Sequence, residues 1–156
     1  MQQIIRPITS ILLIDDDPDD CDVFKTALTD VSSAIHLDCL HTSELLQETL
    51  EQHLPDVIFL DINMPMVDGF ACLKQLQDNQ RYSRIPIIMY SSSLSQKEVN
   101  AAYGYGASLF FRKPTRYADL LDSLRSILLM DWSTPEIIKQ QYFKEGNYKT
   151  FEFQTP

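Results

Sequence analysis

Three stretches of the chain end in residue types that could work on one ligand. Asp61 closes the apolar run Val57-Ile58-Phe59-Leu60 and is followed by Ile62-Asn63-Met64-Pro65. A carboxylate at the carboxyl end of a buried strand is costly unless it is paired or used. Ile11-Leu12-Leu13-Ile14 stops at Asp15-Asp16-Asp17, and Ser108-Leu109-Phe110-Phe111 runs out to Arg112-Lys113-Pro114. In open α/β sheets, ligands sit at the carboxyl edge of the strands, near the point where strand order reverses. Acids, a lone acid and a lysine at successive strand ends therefore imply one pocket, suited to a phosphoryl group on Asp61.

If the first and third strands are neighbours, Asp15, Asp16 and Asp61 converge. Two unit charges about 4 Å apart repel by roughly 4 kcal/mol at an effective dielectric near 20. Three carboxylates thus call for a cation or a raised pKa. Mg²⁺ suits such a site, since it takes a few carboxylates and keeps waters and a phosphate oxygen. Lys113 supplies a compact charge able to meet both Asp61 and an incoming phosphoryl oxygen. Asp61 is then placed as a carboxylate nucleophile that forms an aspartyl-phosphate.

The elements that would hold these groups are legible as apolar runs at Ile11–Ile14, Ile35–Leu40, Val57–Leu60, Ile85–Tyr90 and Ser108–Phe111. Helical segments separate them, the pattern of strand–helix alternation around a parallel sheet. The first helix is expected from Pro18, with Val23, Phe24, Ala27, Leu28 and Val31 on its inner face. A Ser43 cap opens the second, Gly69 the third, and Ser95 with Glu98 the fourth, which ends at Gly104 or Gly106. The fifth starts at Thr115 and turns Leu120, Leu121, Leu124, Ile127 and Leu128 inward. Beyond Leu129, Ser133-Thr134-Pro135-Glu136 is a helix start, Ile137, Ile138 and Tyr142 give a short amphipathic stretch, and Gly146-Asn147 breaks it. Tyr148, Phe151 and Phe153 follow. This extension is too apolar for a solvated tail, and is expected to dock on its own domain or on a second copy.

Composition excludes several classes of function. The 156 residues make one domain with a short appendage, and 13 basic against 22 acidic residues leave a net charge of −9. Nucleic acid as a direct partner needs a basic face, and a membrane surface would too. No run approaches transmembrane length, and the N-terminus leads straight into the first strand. Cys21, Cys39 and Cys72 show no paired ligand spacing and read as reduced thiols of a cytoplasmic protein. The histidines His36, His41 and His53 are expected far from the strand ends, and Asp17, Asp19 and Asp20 as solvated acids at a helix N-terminus.

Taken in order, Ile-Leu-Leu-Ile-Asp15-Asp16-Asp17-Pro18, Pro55-Asp56-Val-Ile-Phe-Leu-Asp61-Ile-Asn-Met-Pro65-Met-Val-Asp68-Gly69, Ile85-Pro86-Ile87-Ile88-Met89-Tyr90-Ser91-Ser92, Gly106-Ala107 and Phe110-Phe111-Arg112-Lys113-Pro114 resemble the receiver domain of two-component response regulators, in its single-domain, chemotaxis-type form. The resemblance covers residues 5–129 and leaves 130–156 as a C-terminal extension without an output domain. It implies a flavodoxin-like, doubly wound five-stranded parallel sheet of order 2-1-3-4-5 with five flanking helices. It also implies that Asp61 is the phosphoacceptor and that Asp15 and Asp16 hold Mg²⁺ together with Asp61 and the Asn63 backbone carbonyl. Ser91 and Lys113 would bind the phosphoryl group, and Phe110 would stand at the aromatic switch position, turning from solvent toward the core. The partners implied are a sensor histidine kinase and either a downstream protein target or a histidine phosphotransfer protein, with a homodimer as a further option.

Other classes fit less well. A haloacid-dehalogenase-type phosphatase also uses a strand-end Asp with Mg²⁺, but needs a second acid where this chain has Asn63. A pseudo-receiver binding module would lose one of Asp16, Asp61 or Lys113. A dinucleotide-binding Rossmann domain would carry Gly-x-Gly-x-x-Gly after the first strand, and this chain does not.

Overall fold

In the computed structural model, which describes residues 6–64, 68–92 and 95–152, five parallel strands form one sheet. They are β1 (Ser10–Ile14), β2 (His36–Leu40), β3 (Val57–Leu60), β4 (Ile87–Ser91) and β5 (Leu109–Arg112), in the spatial order β2-β1-β3-β4-β5. Helices α1 (Pro18–Val31), α2 (Leu46–Gln52), α3 (Gly69–Asp78), α4 (Gln96–Gly104) and α5 (Tyr117–Leu128) connect or follow them. This is the flavodoxin-like order, and the reversal falls between β1 and β3, where Ile14 pairs with Leu60. Asp15 and Asp61, each one residue further along, are thereby brought side by side.

The strands read as continuous apolar runs because both faces of the sheet are covered. Side chains alternate between two layers. Ile11, Leu13, Phe59, Ile88, Tyr90 and Phe111 pack with α1 and α5, while Leu12, Ile14, Ile58, Leu60, Met89 and Phe110 pack with α2, α3 and α4.

Local chemistry sets the helix starts with some departures from expectation. Asp17 caps α1 by accepting from the Asp19 amide, with Pro18 in the first helical turn. Ser95 accepts from the Glu98 amide at the start of α4. The second helix, however, starts at Leu46 with no side-chain cap, and Ser43 contributes only its carbonyl, to the Leu46 amide. The fifth starts at Tyr117, not Thr115. On α1 the inner face is Cys21, Phe24, Ala27 and Leu28, whereas Val23 is exposed. Buried positions there follow spacings of three and four residues from Phe24, a phase that puts residue 23 toward water.

The segment after α5 folds back on the domain. Trp132 donates its indole N–H to the Ile127 carbonyl at 2.8 Å, and helix α6 (Pro135–Gln141) buries Ile138. A two-strand hairpin follows, β6 (Phe143–Lys144) with β7 (Asn147–Tyr148). The Gly146-Asn147 break is therefore a turn: Glu145 and Gly146 both have positive φ (54° and 82°), as a tight hairpin of native twist requires. Phe151 then bridges in parallel to Phe111 at the β5 edge. Trp132, Ile138 and Phe151 belong to the same apolar layer as α1 and α5. Pro65, Met66, Ser93 and Phe153 lie outside the described residues.

Candidate functional site

Asp15 is fully buried, Asp61 is buried, and Asp16 is half-buried. Parallel pairing fixes the first two: the Asp15 amide donates to the Leu40 carbonyl and the Asp61 amide to the Ile14 carbonyl, each at 2.9 Å. Carboxylate oxygens of Asp15, Asp16 and Asp61 all lie within 4.8 Å of one another. They are hard oxygen donors with the spacing a small divalent cation needs.

Lys113 reaches the cluster from the end of β5, where its amide donates to the Ser91 carbonyl at 2.8 Å. Its Nζ donates to Asp15 Oδ2 at 2.8 Å, to Asp20 Oδ2 at 2.8 Å and more loosely to Asp61 Oδ2 at 3.5 Å. The same ammonium lies 5.2 Å from the centre of the Tyr90 ring. Burial opposes its charge, but the bonds to Asp15 and Asp20 outweigh that and hold the Lys113 pKa above the usual lysine value. The reverse holds for Asp61. Burial is the largest influence and pushes its carboxyl up to about 6, with Asp15 adding to the rise. Lys113 and the Asn63 amide, which donates to Asp61 Oδ1 at 3.2 Å, act in the opposite direction.

The loop after Asp61 is closed by Gly69 at the start of α3. A Cβ there would stand 2.4 Å from the Asp61 carbonyl oxygen and 2.6 Å from Ile62 Cα. Only glycine lets the helix approach that closely. Asn63 is exposed and bridges to Asp68, whose carboxylate caps α3 through the Phe70 amide. Ser91 is buried at the end of β4.

Three placements differ from expectation. Asp20 is not merely a solvated helix-end acid, because its carboxylate shares Lys113. It stands four residues before the buried Phe24, a helical spacing that could have shown it facing the pocket. His41 is exposed but not remote: its Nδ1 lies 3.1 Å from the Asp15 carbonyl oxygen, since β2 is the neighbour of β1. Phe110, expected at the surface, is fully buried.

The order of the strands, the acid cluster and the lysine agree with a comparison of the whole chain. The model of the response regulator receiver domain matches residues 11–125. The chain belongs to this family. It is 29% identical to response regulator Rcp1 of Synechocystis sp. over 129 residues, which cover 78% of this chain and 88% of Rcp1. It is 28% identical to response regulator Rre1 of the same organism over 119 residues, 76% of this chain but only 51% of Rre1. The chain thus spans about half the length of Rre1. The crystal structure of the Mn²⁺-bound form of Rcp1 matches with a TM-score of 0.68 at 25% identity, covering 76% of this chain and 91% of that one. The phosphorylated cyanobacterial phytochrome response regulator RcpA matches in fold with a TM-score of 0.73 at 22% identity, covering 81% and 96%. Among the described residues of this receiver domain, no helix is long and apolar enough to cross a membrane.

Proposed function

We propose that this receiver domain accepts a phosphoryl group on Asp61 from a phosphohistidine of a sensor kinase, and that the phosphorylated form signals by binding a protein target. The observation that carries the reading is Lys113, held between Asp15 and Asp61 beside three converging carboxylates. An Asp61 carboxylate oxygen attacks phosphorus in line with the histidine nitrogen. The new O–P bond forms as the N–P bond breaks, and the leaving imidazole takes up a proton. Lys113 Nζ, 3.5 Å from Asp61 Oδ2, is the cation nearest the new phosphoryl oxygens among the described residues, and the buried Ser91 stands at the end of the neighbouring strand. Such a reaction needs positioning and charge neutralisation more than covalent help.

The donor set fits Mg²⁺, with Asp15, Asp16, Asp61 and the Asn63 carbonyl as the residues that would hold it. Bound there, the ion supplies neutralisation of the carboxylates and of the incoming phosphate. Asn63 cannot act as the acid that rapid hydrolytic turnover would need, which supports a signalling role over a phosphatase.

Incubation with acetyl phosphate and Mg²⁺, followed by intact-mass measurement, tests the assignment. One acid-stable, base-labile phosphoryl group should appear, and chelation of Mg²⁺ or the Asp61→Asn substitution should abolish it. Equal labelling of Asp61→Asn would overturn the assignment.

A further inference from the structure

Phe110 is already inside, so a turn of that ring from solvent to core is not available in this chain as folded. Its main chain is held on both sides. The Phe110 amide donates to the Tyr103 hydroxyl at 3.0 Å, and the Phe110 carbonyl accepts from the Phe151 amide at 2.7 Å. Tyr103 lies on α4 and Phe151 on the C-terminal extension. The same Tyr103 hydroxyl donates to the Lys149 carbonyl at 3.0 Å. One residue of β5 is thus tied to α4 and to the extension at once.

Around this point the extension lies on α4 and β5 as an extended peptide. The Tyr148 ring stacks on Tyr103 with centroids 4.3 Å apart and planes 12° from parallel. Its main chain is read from both sides by carboxamides: the amide donates to Asn100 Oδ1 at 2.9 Å, and the carbonyl accepts from Gln96 Nε2 at 2.7 Å. Asn100 also donates to Asn147 Oδ1 at 3.0 Å. Three residues on, Phe151 adds to the open edge of the sheet and sets its ring 5.8 Å from Phe111. The segment is held through its main chain, by one bridge to β5 and by the Gln96 and Asn100 carboxamides, with two aromatic seats. This is a short form of the logic of strand-addition recognition, in which main-chain bonds hold the peptide and side-chain seats select it.

We infer that the α4–β5 face is a peptide-binding site, that residues 147–152 of the chain occupy it before phosphorylation, and that a target segment with two aromatic side chains three residues apart replaces them afterwards. The inference rests on the proposed phosphorylation of Asp61. The link is physical. A phosphoryl group on Asp61 draws Lys113 away from Asp20. Lys113 sits over the Tyr90 ring, Tyr90 packs on Phe111 at 5.3 Å, and Phe111 packs on Phe151. Rearrangement at the lysine therefore reaches the seat of Phe151 through two ring contacts. The occupant is half-exposed at Tyr148 but buried at Phe151, so displacement requires an incoming aromatic side chain to refill the Phe151 seat.

Two measurements on the full chain decide the matter. In the first, amide exchange is followed without and with Mg²⁺ and acetyl phosphate, with phosphorylation scored by mass in the same samples. The Tyr148 and Phe151 amides should be protected at rest and exchange at least about tenfold faster once phosphorylated. Unchanged protection in a fully phosphorylated sample overturns the release. Protection that rises with protein concentration overturns self-occupancy, because it places the extension on a second copy. In the second, a fluorescent peptide of residues 147–152 is titrated into the full chain and into the Tyr148→Ala/Phe151→Ala variant, neither phosphorylated. Binding should be at least about tenfold tighter to the variant, whose own segment competes poorly, and Asn100→Ala in that background should weaken it again. Equal binding to both proteins overturns the site. This second experiment needs no phosphorylation, so its result stands whether or not Asp61 accepts a phosphoryl group.

Discussion

Lys113 Nζ is as close to Asp20 Oδ2 as to Asp15 Oδ2, at 2.8 Å each, and lies 3.5 Å from Asp61. The cation proposed to serve a phosphoryl group on Asp61 is therefore held mainly by Asp15 and Asp20. Asp15 is fully buried, whereas the Asp20 side chain is 41% exposed. Asp20 is the partner that can yield.

Removing that partner should favour Asp61. In Asp20→Asn, Lys113 loses one competing carboxylate and moves toward Asp61. A charge pair with one partner as open as Asp20 is worth about 0.5–1 kcal/mol, so labelling by acetyl phosphate should quicken roughly two- to fivefold. Global stability in a urea melt should change little. An unchanged or slower rate would mean that Asp20 has no hold on the reactive lysine.

The parts of this site that were legible in the sequence are those fixed by strand ends. Asp15 and Asp61 each stand one residue past an apolar run and Lys113 two residues past one, and parallel pairing of the runs brings them together once the first and third strands are neighbours. Asp20 was missed because an acid in the first turn of a helix has a sufficient local explanation in the helix dipole. His41 was missed because its proximity comes from β2 lying next to β1, an adjacency that the run Ile35–Leu40 does not itself display. The expected fourth strand began at Ile85, but β4 starts at Ile87: Pro86 has no N–H to give to the ladder, and its carbonyl serves the Ile58 amide instead. The extension was legible as apolar but not as a hairpin, because its turn puts Glu145 in the left-handed region, where a glycine or asparagine would have been the visible signal.

The raised pKa of Asp61 gives a pH dependence with a definite sign. Folded, the carboxyl holds its proton up to about pH 6, while the reference value is 3.8. The native state therefore binds more protons than the unfolded chain between those values, and stability falls as pH rises through that window. Above about pH 6 the whole penalty is present. In metal-free buffer at pH 7.5, Asp61→Asn should be more stable than the parent by on the order of 2 kcal/mol. The gain should shrink as pH falls below about 6 and be gone near pH 4. Urea midpoints across that range measure it; a gain that persists at pH 4 would assign it to something other than the Asp61 charge. Mg²⁺ affinity, read by calorimetry, should drop through the same window as Asp61 takes up its proton.

Gly69 ties the reactive loop to the fold. A Cβ at this position meets backbone atoms, the Asp61 carbonyl oxygen at 2.4 Å and Ile62 Cα at 2.6 Å. Neither can swing aside as a side chain would. Gly69→Ala should cost about 2–3 kcal/mol, within the range of overpacking in a rigid site. It should also slow phosphorylation more than its thermal melt alone would suggest, because the displaced atoms are the carbonyl of Asp61, the proposed phosphoacceptor, and the Cα of its neighbour Ile62. Gly104, with nothing within 4 Å of a Cβ, is the control: Gly104→Ala should leave labelling unchanged.

Tyr103→Phe separates packing from hydrogen bonding at the meeting point of α4, β5 and the extension. The ring is fully buried and keeps its place under Tyr148 without the hydroxyl. What disappears is the acceptor for the Phe110 amide and the donor to the Lys149 carbonyl. A buried N–H left without a partner costs about 1–3 kcal/mol, so the melt should fall by that amount even though no apolar surface is lost. Local exchange should respond unevenly. The Phe151 amide, bonded to the Phe110 carbonyl, should become more open, whereas amides in β1 and β3 should change only with global stability. Equal loosening across the whole sheet would show that the hydroxyl supports the fold at large and has no particular grip on the extension.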